Sequence, residues 1–418
     1  MEIRAARAGE LEEIVDVLAV AFVEKCRPRY ASQHYQDSSY QLHQSRVCIV
    51  DGKIVSYVRV ADRSIYIGKS VVRLGGVGMV ATLPAYRRRG YATALLRDAI
   101  AYMAGQGYDL SLLFSTIQPF YMTFGWAPFP QTNFELALSS QKTFQRSKWV
   151  GRPFDAQRDL TQIKEIYDDH NTQRTGTILR SEQHWRDGYS HQVGILPSLV
   201  VEQEGTIGAY ANLAFPTDSV DSDGMDAFLA TYYPNLREVG YRSQYPNSPI
   251  ALCHAILEQA YEKDATSISG RLPRHHPLTV LLSEESGSPL SFSVAERAMY
   301  RVISLYSLLQ KMIPEFDARL ENTTMTDKSG SFCFNVTNQV CTLNVNQGKV
   351  SVTANGSGRT KVNLPPYRFL KVLFGDATFG QLDELHRITG LRLQPDEIAI
   401  LSALFSKAEP MHWICDYF

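Results

Sequence analysis

One short pattern occurs twice in this chain. Asp51-Gly52-Lys53-Ile54-Val55-Ser56-Tyr57 lines up with Glu204-Gly205-Thr206-Ile207-Gly208-Ala209-Tyr210, and each acidic–Gly pair interrupts an apolar run, 48–60 in one case and 199–215 in the other. A Gly-containing pair between strand-like runs signals a β-hairpin, because the tightest turns need positive φ at their central positions. The surroundings repeat too. A helix-period stretch precedes each hairpin (Leu11, Ile14, Leu18 and Leu160, Ile163, Tyr167), and a stronger one follows (Leu95, Leu96, Ala99, Ile100, Met103 and Leu252, Ile256, Leu257, Ala260). The pattern predicts a duplicated helix–hairpin–helix unit. Each copy must bury the same kind of face, which narrows the possible folds more than composition does.

Length agrees with two copies plus a remainder: 418 residues at about 150 per domain give about three domains. The last third differs in kind. Segments 341–345 and 349–352 alternate as strands around a polar Gly turn, with helices predicted over 299–312 and 367–374, so an α+β domain with a one-sided sheet is expected. Two polar runs mark boundaries, Ser139-Ser140-Gln141-Lys142 leading to Gly151-Arg152-Pro153, and Ser283-Glu284-Glu285-Ser286-Gly287-Ser288-Pro289. The expected domains are 1–145, 146–288 and 289–418, and the fold class is α+β: tandem mixed-sheet α/β units followed by an α+β domain.

Forty-two Lys+Arg against 43 Asp+Glu leave a net charge of -1, without the basic footprint of a general nucleic-acid or membrane-surface binder. The first residues carry no apolar signal region, and no run of 18 uncharged apolar residues occurs, so a cytoplasmic protein is expected. Six cysteines (Cys26, Cys48, Cys253, Cys333, Cys341, Cys415) form no C-x-x-C pair, and neither His275-His276 nor Cys253-His254 has partners at ligand spacing. No metal site and no disulfide framework are expected.

The chemistry is concentrated in 78–96. Gly78-Met79-Val80-Ala81-Thr82 reads as a strand, Pro84 as a turn, Arg87-Arg88-Arg89-Gly90 as a basic loop, and the residues from Tyr91 as an amphipathic helix. Such a loop turns several backbone N–H groups toward one point, where the helix dipole and Arg side chains also favour an anion. Gly90 allows close backbone approach to a diphosphate. After the strand 110–114 comes Phe120-Tyr121-Met122-Thr123-Phe124-Gly125-Trp126.

On these motifs residues 1 to about 135 resemble the GNAT superfamily of acetyl-CoA-dependent N-acetyltransferases. The loop pattern (Gln/Arg)-x-x-Gly-x-(Gly/Ala) is met by Arg87, Gly90 and Ala92, and the Phe-Tyr-x-x-x-Gly-Trp element is a second hallmark. The whole chain is similar to the Eis (enhanced intracellular survival) acetyltransferases, with a degenerate second GNAT-like unit, a sterol carrier protein-like third domain and an aromatic last residue. The resemblance implies that Val80, Ala81 and Thr82 meet the pantetheine arm. It places Arg88, Arg89, Gly90, Tyr91, Ala92 and Thr93 at the diphosphate, with Thr116 and Ile117 as further cofactor contacts. It implies Tyr121 as general acid, the carboxylate of Phe418 as general base, and Glu24 near the acceptor amine. Acetyl-CoA is the implied cosubstrate, an amine-bearing small molecule or a lysine side chain the acceptor, and a homohexamer the assembly.

Those roles suit the reaction. An alkylammonium with a pKa near ~10.4 must lose a proton before it attacks a thioester, and a carboxylate can take it. The departing thiolate needs a proton, which a tyrosine with a pKa near ~10 still carries at neutral pH. The final stretch, Met411-His412-Trp413-Ile414-Cys415-Asp416-Tyr417-Phe418, is apolar and aromatic, as a docked tail requires. The second unit has Ser243-Gln244-Tyr245-Pro246-Asn247-Ser248 in place of a basic Gly loop and is expected not to bind coenzyme A. Cys415 is not assigned as a nucleophile, since direct transfer needs none. The alternative function is a non-catalytic acyl-CoA- or lipid-binding protein that uses the carrier-like domain.

Overall fold

The computed structural model describes residues 1–418 except 23, 139–141, 146, 173, 188–193, 216–234 and 383–392. The predicted boundary run 139–142 therefore lies mostly outside the described residues. The chain begins with β1 (Glu2–Ala5), α1 (Leu11–Ala21), α2 (Arg27–Tyr35), β2 (Ser45–Val50), β3 (Lys53–Ile67) and β4 (Ser70–Thr82). There follow α3 (Tyr91–Gly105), β5 (Leu110–Phe114), α4 (Gln118–Met122), β6 (Ala127–Pro128) and β7 (Gln131–Ala137). Next come β8 (Val150–Pro153), α5 (Ala156–Asn171), α6 (Glu182–Asp187), β9 (Leu199–Gln203), β10 (Thr206–Leu213) and β11 (Leu236–Tyr241). The helix Ser248–Glu262, β12 (Ser267–Gly270), the helix Pro277–Ser286 and β13 (Leu290–Ala295) complete the second part. The last part holds β14 (Ala298–Val302), the helices Leu305–Lys311 and Ile313–Glu321, and β15 (Gly330–Val336), β16 (Gln339–Asn346), β17 (Lys349–Thr353) and β18 (Thr360–Asn363), then the helices Pro366–Leu373 and Pro395–Leu404.

Both hairpins form for the reason the sequence gives. Asp51 and Gly52 have φ of 50° and 77°, and Glu204 and Gly205 have 50° and 81°, the left-handed pair that matches the twist of the flanking strands. α1 and α3 flank the first hairpin, and α5 and the helix Ser248–Glu262 flank the second. The class is mixed α/β with three sheets among the described residues, ordered β1-β2-β3-β4-β5-β14-β6, β13-β7-β12-β11-β10-β9-β8 and β17-β16-β15-β18.

Two expectations are corrected. Segment 299–312 is not one helix: its first residues form β14, and the helix starts at Leu305. β14 lies between β5 and β6, buried on both faces, and such a short continuous apolar run cannot be told from buried helix by periodicity. Residues 283–286 are the last turn of the helix Pro277–Ser286, which Gly287 ends at φ 69°; that is a C-terminal glycine cap, and the loop is shorter than its composition suggests.

The sheets interleave. β14 pairs with β5 from Ala298↔Phe114 to Val302↔Leu110, and β7, from the first part of the chain, pairs with both β12 and β13 of the second. One hydrophobic core joins Ile65, Leu74 and Leu112 of the first sheet to Phe332, Phe334 and Phe369 of the last part. Below it, β4 and β5 are parallel and paired only over Leu74–Gly76 with Leu110–Leu112. β4 then continues unpaired on that side to Thr82, past a kink at Met79 with φ 55°, and a fork opens between the two strands.

Buried histidines give this packing a pH signature. Burial pushes His34 down to about 4 and His276 to about 3, so both are neutral in the fold while their unfolded counterparts bind protons near ~6.5. The unfolded state holds more protons below that value, so this stability is complete above about 6.5 and lost as pH falls toward 4. We expect the unfolding free energy from urea titration to drop between pH 7 and pH 5, by about 2 kcal/mol for each of these histidines; an unchanged value contradicts their burial.

Candidate active site

β4 runs into the turn Pro84–Tyr86, the basic loop, and α3. Arg88 has φ 63° and Gly90, the residue capping α3, has φ 85°. Two left-handed residues within three positions curl the loop so that the first N–H groups of α3, which have no intrahelical partner, face outward together. A cleft of about 320 Å3 opens there, lined by Val80, Ala81, Thr82, Arg87, Arg88, Gly90, Tyr91, Ala92, Thr93, Ile117 and Tyr121, with Ala21, Phe22, Tyr86 and Phe120.

The structure thus brings together most of the residues expected at a coenzyme A site. Arg87 spends its guanidinium on the backbone, donating to Thr82 O at 3.2 Å and to Ala21 O at 2.9 Å, which ties the loop to the end of α1. Arg89 is not a lining residue; its guanidinium carbon stands 5.5 Å over the Tyr86 ring. Thr116 is exposed beside Ile117 and does not line the cleft. Glu24 lies in a short 3-10 turn after α1, exposed and also outside the cleft lining. Among the described residues no carboxylate pairs with Arg87, Arg88 or Arg89, so three cations and a helix start present uncompensated positive charge. That fits a diphosphate.

Tyr121 sits in α4 at the wall of the cleft, 7% exposed. Its ring meets Phe120 and Trp126 edge-on, and among the described residues its hydroxyl makes no hydrogen bond. Burial pushes it up to about 12, so at neutral pH it holds its proton. Gly125, φ 87°, turns the chain after it.

Phe418 does not line the cleft. It is buried against one face of β4, where a Cβ on Gly76 would stand 2.5 Å from the Phe418 ring and one on Gly78 would stand 3.2 Å from a Phe418 main-chain oxygen. Phe114, at the end of β5, stacks on Tyr417 at 3.7 Å and lies 5.8 Å from the Phe418 ring. The end of the chain therefore packs on β4 two residues before Val80, the first strand residue of the cleft. Gly76 and Gly78 went unassigned in the sequence, though glycines inside an apolar strand signal the approach of another backbone or ring.

Residues 2–129 match the family of acetyltransferase (GNAT) domains. That domain makes the chain an enzyme of the acyltransferase class and implies acetyl-CoA as acetyl donor. No curated protein matches the chain. Several solved structures share its fold from end to end. A GCN5-related N-acetyltransferase from Anabaena variabilis ATCC 29413 is 15% identical with a TM-score of 0.71, covering 100% of both chains. One from Kribbella flavida is 15% identical, TM-score 0.68, covering 100% of this chain and 98% of the other. Eis1 from Mycobacterium abscessus is 17% identical, TM-score 0.63, covering 99% of each.

Outside the GNAT domain, the start of the helix Ser248–Glu262 is built differently from that of α3. Its capping residue, Asn247, has φ -86°, and no basic residue stands between Ser243 and Ser248. Among the described residues no group of three or more His, Cys, Asp or Glu could hold a metal ion, and no helix is long and apolar enough to cross a membrane.

Gly90→Ala tests the loop. A Cβ at left-handed φ costs about 1–2 kcal/mol, and straightening the loop turns N–H groups away from the anion. Calorimetric titration with coenzyme A is expected to show weaker binding, and tight binding at native affinity would separate the loop conformation from the cleft's function.

Proposed function

We propose that the protein is an acetyl-CoA-dependent N-acetyltransferase that acetylates a primary amine by direct attack in a ternary complex. The acceptor is a polyamine- or aminoglycoside-like small molecule or a lysine side chain. Acetyl-CoA supplies the acetyl group as a thioester. Val80, Ala81 and Thr82 offer the free edge of β4 to the pantetheine arm, while Arg87, Arg88, Gly90, Tyr91, Ala92 and Thr93 surround the diphosphate and Ile117 stands at the far wall, with Arg89 and Thr116 beside the cleft and outside its lining. The Phe418 carboxylate takes the proton from the attacking amine, and Tyr121 gives its proton to the departing thiolate. Glu24 attracts the acceptor's positive charge.

One observation carries this proposal: a single strand, β4, holds the cationic cleft with Tyr121 at one end and the buried chain terminus two residues away at Gly78. A protonated tyrosine in the cleft and a carboxyl group beside the strand that forms it supply the acid and base that acetyl transfer requires. The second unit, without a basic loop, builds the acceptor side. The last part is sterol carrier protein-like and acts as the scaffold that delivers the tail, which agrees with the core it shares with the first sheet. A cytoplasmic homohexamer completes the proposal and rests on the Eis resemblance.

The test is acetyl-CoA turnover with a panel of spermidine, an aminoglycoside and a lysine peptide. Tyr121→Phe is expected to lower kcat by about 10^2–10^4, and one glycine added after Phe418 to lower it similarly by moving the carboxylate. Native rates in both variants would overturn the mechanism while leaving the domain assignment in place.

A further inference from the structure

Residues 411–418 are buried without exception, and most of what holds them is apolar or neutral. Met411 N donates to Thr175 O at 2.8 Å, Trp413 Nε1 donates to Asn171 Oδ1 at 3.0 Å, and Tyr417 OH donates to Gln131 Oε1 at 3.3 Å. One contact is ionic. Arg180 Nε donates to Asp416 Oδ1 at 2.8 Å, and the rest of its guanidinium grips both oxygens of Glu238 on β11, one at 3.1 Å. All three side chains are fully buried. Tyr210 donates to Glu238 at 2.8 Å, the Tyr167 hydroxyl lies 3.3 Å from Asp416, and the Tyr167 and Trp185 rings face the guanidinium at 4.1 and 4.8 Å.

Arg180 is itself fixed to the first sheet. Gly176 N donates to Tyr66 O at 2.8 Å, Tyr66 N to Thr177 O at 2.9 Å, and Leu179 N to Ser64 O at 2.8 Å, so the segment before Arg180 lies along β3, the partner of β4. A closed path results, from β4 to β3, to Arg180, to Asp416, to Phe418, and back to Gly76 and Gly78 of β4. We propose that Arg180 and Asp416 are positioning residues for acetyl transfer, their ion pair setting where the Phe418 carboxyl group stands beside β4. This rests on Phe418 as the base.

The physics favours position over stability as the role of this pair. Apolar contacts around the tail are non-directional and tolerate sliding, whereas a guanidinium fork fixes the distance and direction of its partner. Two residues of chain reach about 7 Å, so a tail released at Asp416 has several ångströms of play, while a general base must stand within about 3 Å of its proton. Buried ion pairs contribute little net stability beside an apolar replacement of similar volume.

The experiment compares Asp416→Ala and the shape-preserving Asp416→Asn with native protein and with the chain lengthened by one glycine after Phe418. In the Asp416 variants kcat is expected to fall about tenfold or more, the scale of an ångström-level misplacement. KM for acetyl-CoA stays within twofold, because the tail does not line that cleft, and the acid limb of the kcat pH profile keeps its position because the base is unchanged. Carboxypeptidase A, which needs no acceptor, is expected to release Phe418 at least tenfold faster than from native protein at matched circular dichroism. If the lengthened chain loses turnover while both Asp416 variants keep native kcat and native resistance to carboxypeptidase, the positioning role is overturned and the base stands. If the lengthened chain keeps native kcat, the base assignment falls and this inference with it. A KM for acetyl-CoA that moves in step with kcat and melting temperature would likewise overturn positioning, as general destabilisation.

Discussion

The buried trio of Arg180, Asp416 and Glu238 is the interaction on which the rest of the structure depends. It joins the segment along β3, the second sheet at β11, and the last turn of the chain through one guanidinium. Removing one member of such a cluster leaves an uncompensated charge in the interior, which costs about 3–5 kcal/mol. Burial raises the Glu238 carboxyl against the pull of Arg180, and at Asp416 burial also acts upward while Arg180, with His184 and His412, brings the carboxyl down.

The interleaved sheets give that trio a rigid frame. β7 and β14 tie the first two sheets to neighbouring parts of the chain by ladders of main-chain hydrogen bonds. Rigidity matters because the GNAT domain's strand pairing stops where its chemistry would start. β4 and β5 share three paired positions and then separate, which exposes one edge of β4 beside the basic loop, while Phe418 packs over Gly76 and Gly78 and Tyr417 stacks on Phe114. The second unit keeps the hairpin and both helices, yet its helix start has neither positive φ nor a basic loop, and the turn Ile414–Asp416 packs against β11. There the space next to the sheet is taken up by the chain's own tail.

Much of this was legible in the sequence because it is local. The turns at Asp51-Gly52 and Glu204-Gly205, the periodic helices and the Arg87–Gly90–Ala92 loop each depend on residues within a few positions of one another, and the structure has them where they were expected. Most of the cleft lining followed from the same stretch. Arg89, Thr116 and Glu24 fall outside that lining, since loop side chains next to a motif can point either way. β14 reads as helix in the sequence because burial on both faces erases the alternation that marks a strand.

Arg180 and Glu238 carried no signal at all. Nothing within several positions of either residue demands a buried charge; the demand comes from Asp416, 236 positions beyond Arg180. By itself the sequence determined two hairpin units, one basic glycine loop before a helix and a tail too apolar to stay in water, because backbone dihedrals and hydrophobic periodicity are set by near neighbours. Only the tertiary structure decided where that tail lies, because its place is fixed by strand exchange and one buried guanidinium, and such contacts leave no periodic trace along the chain.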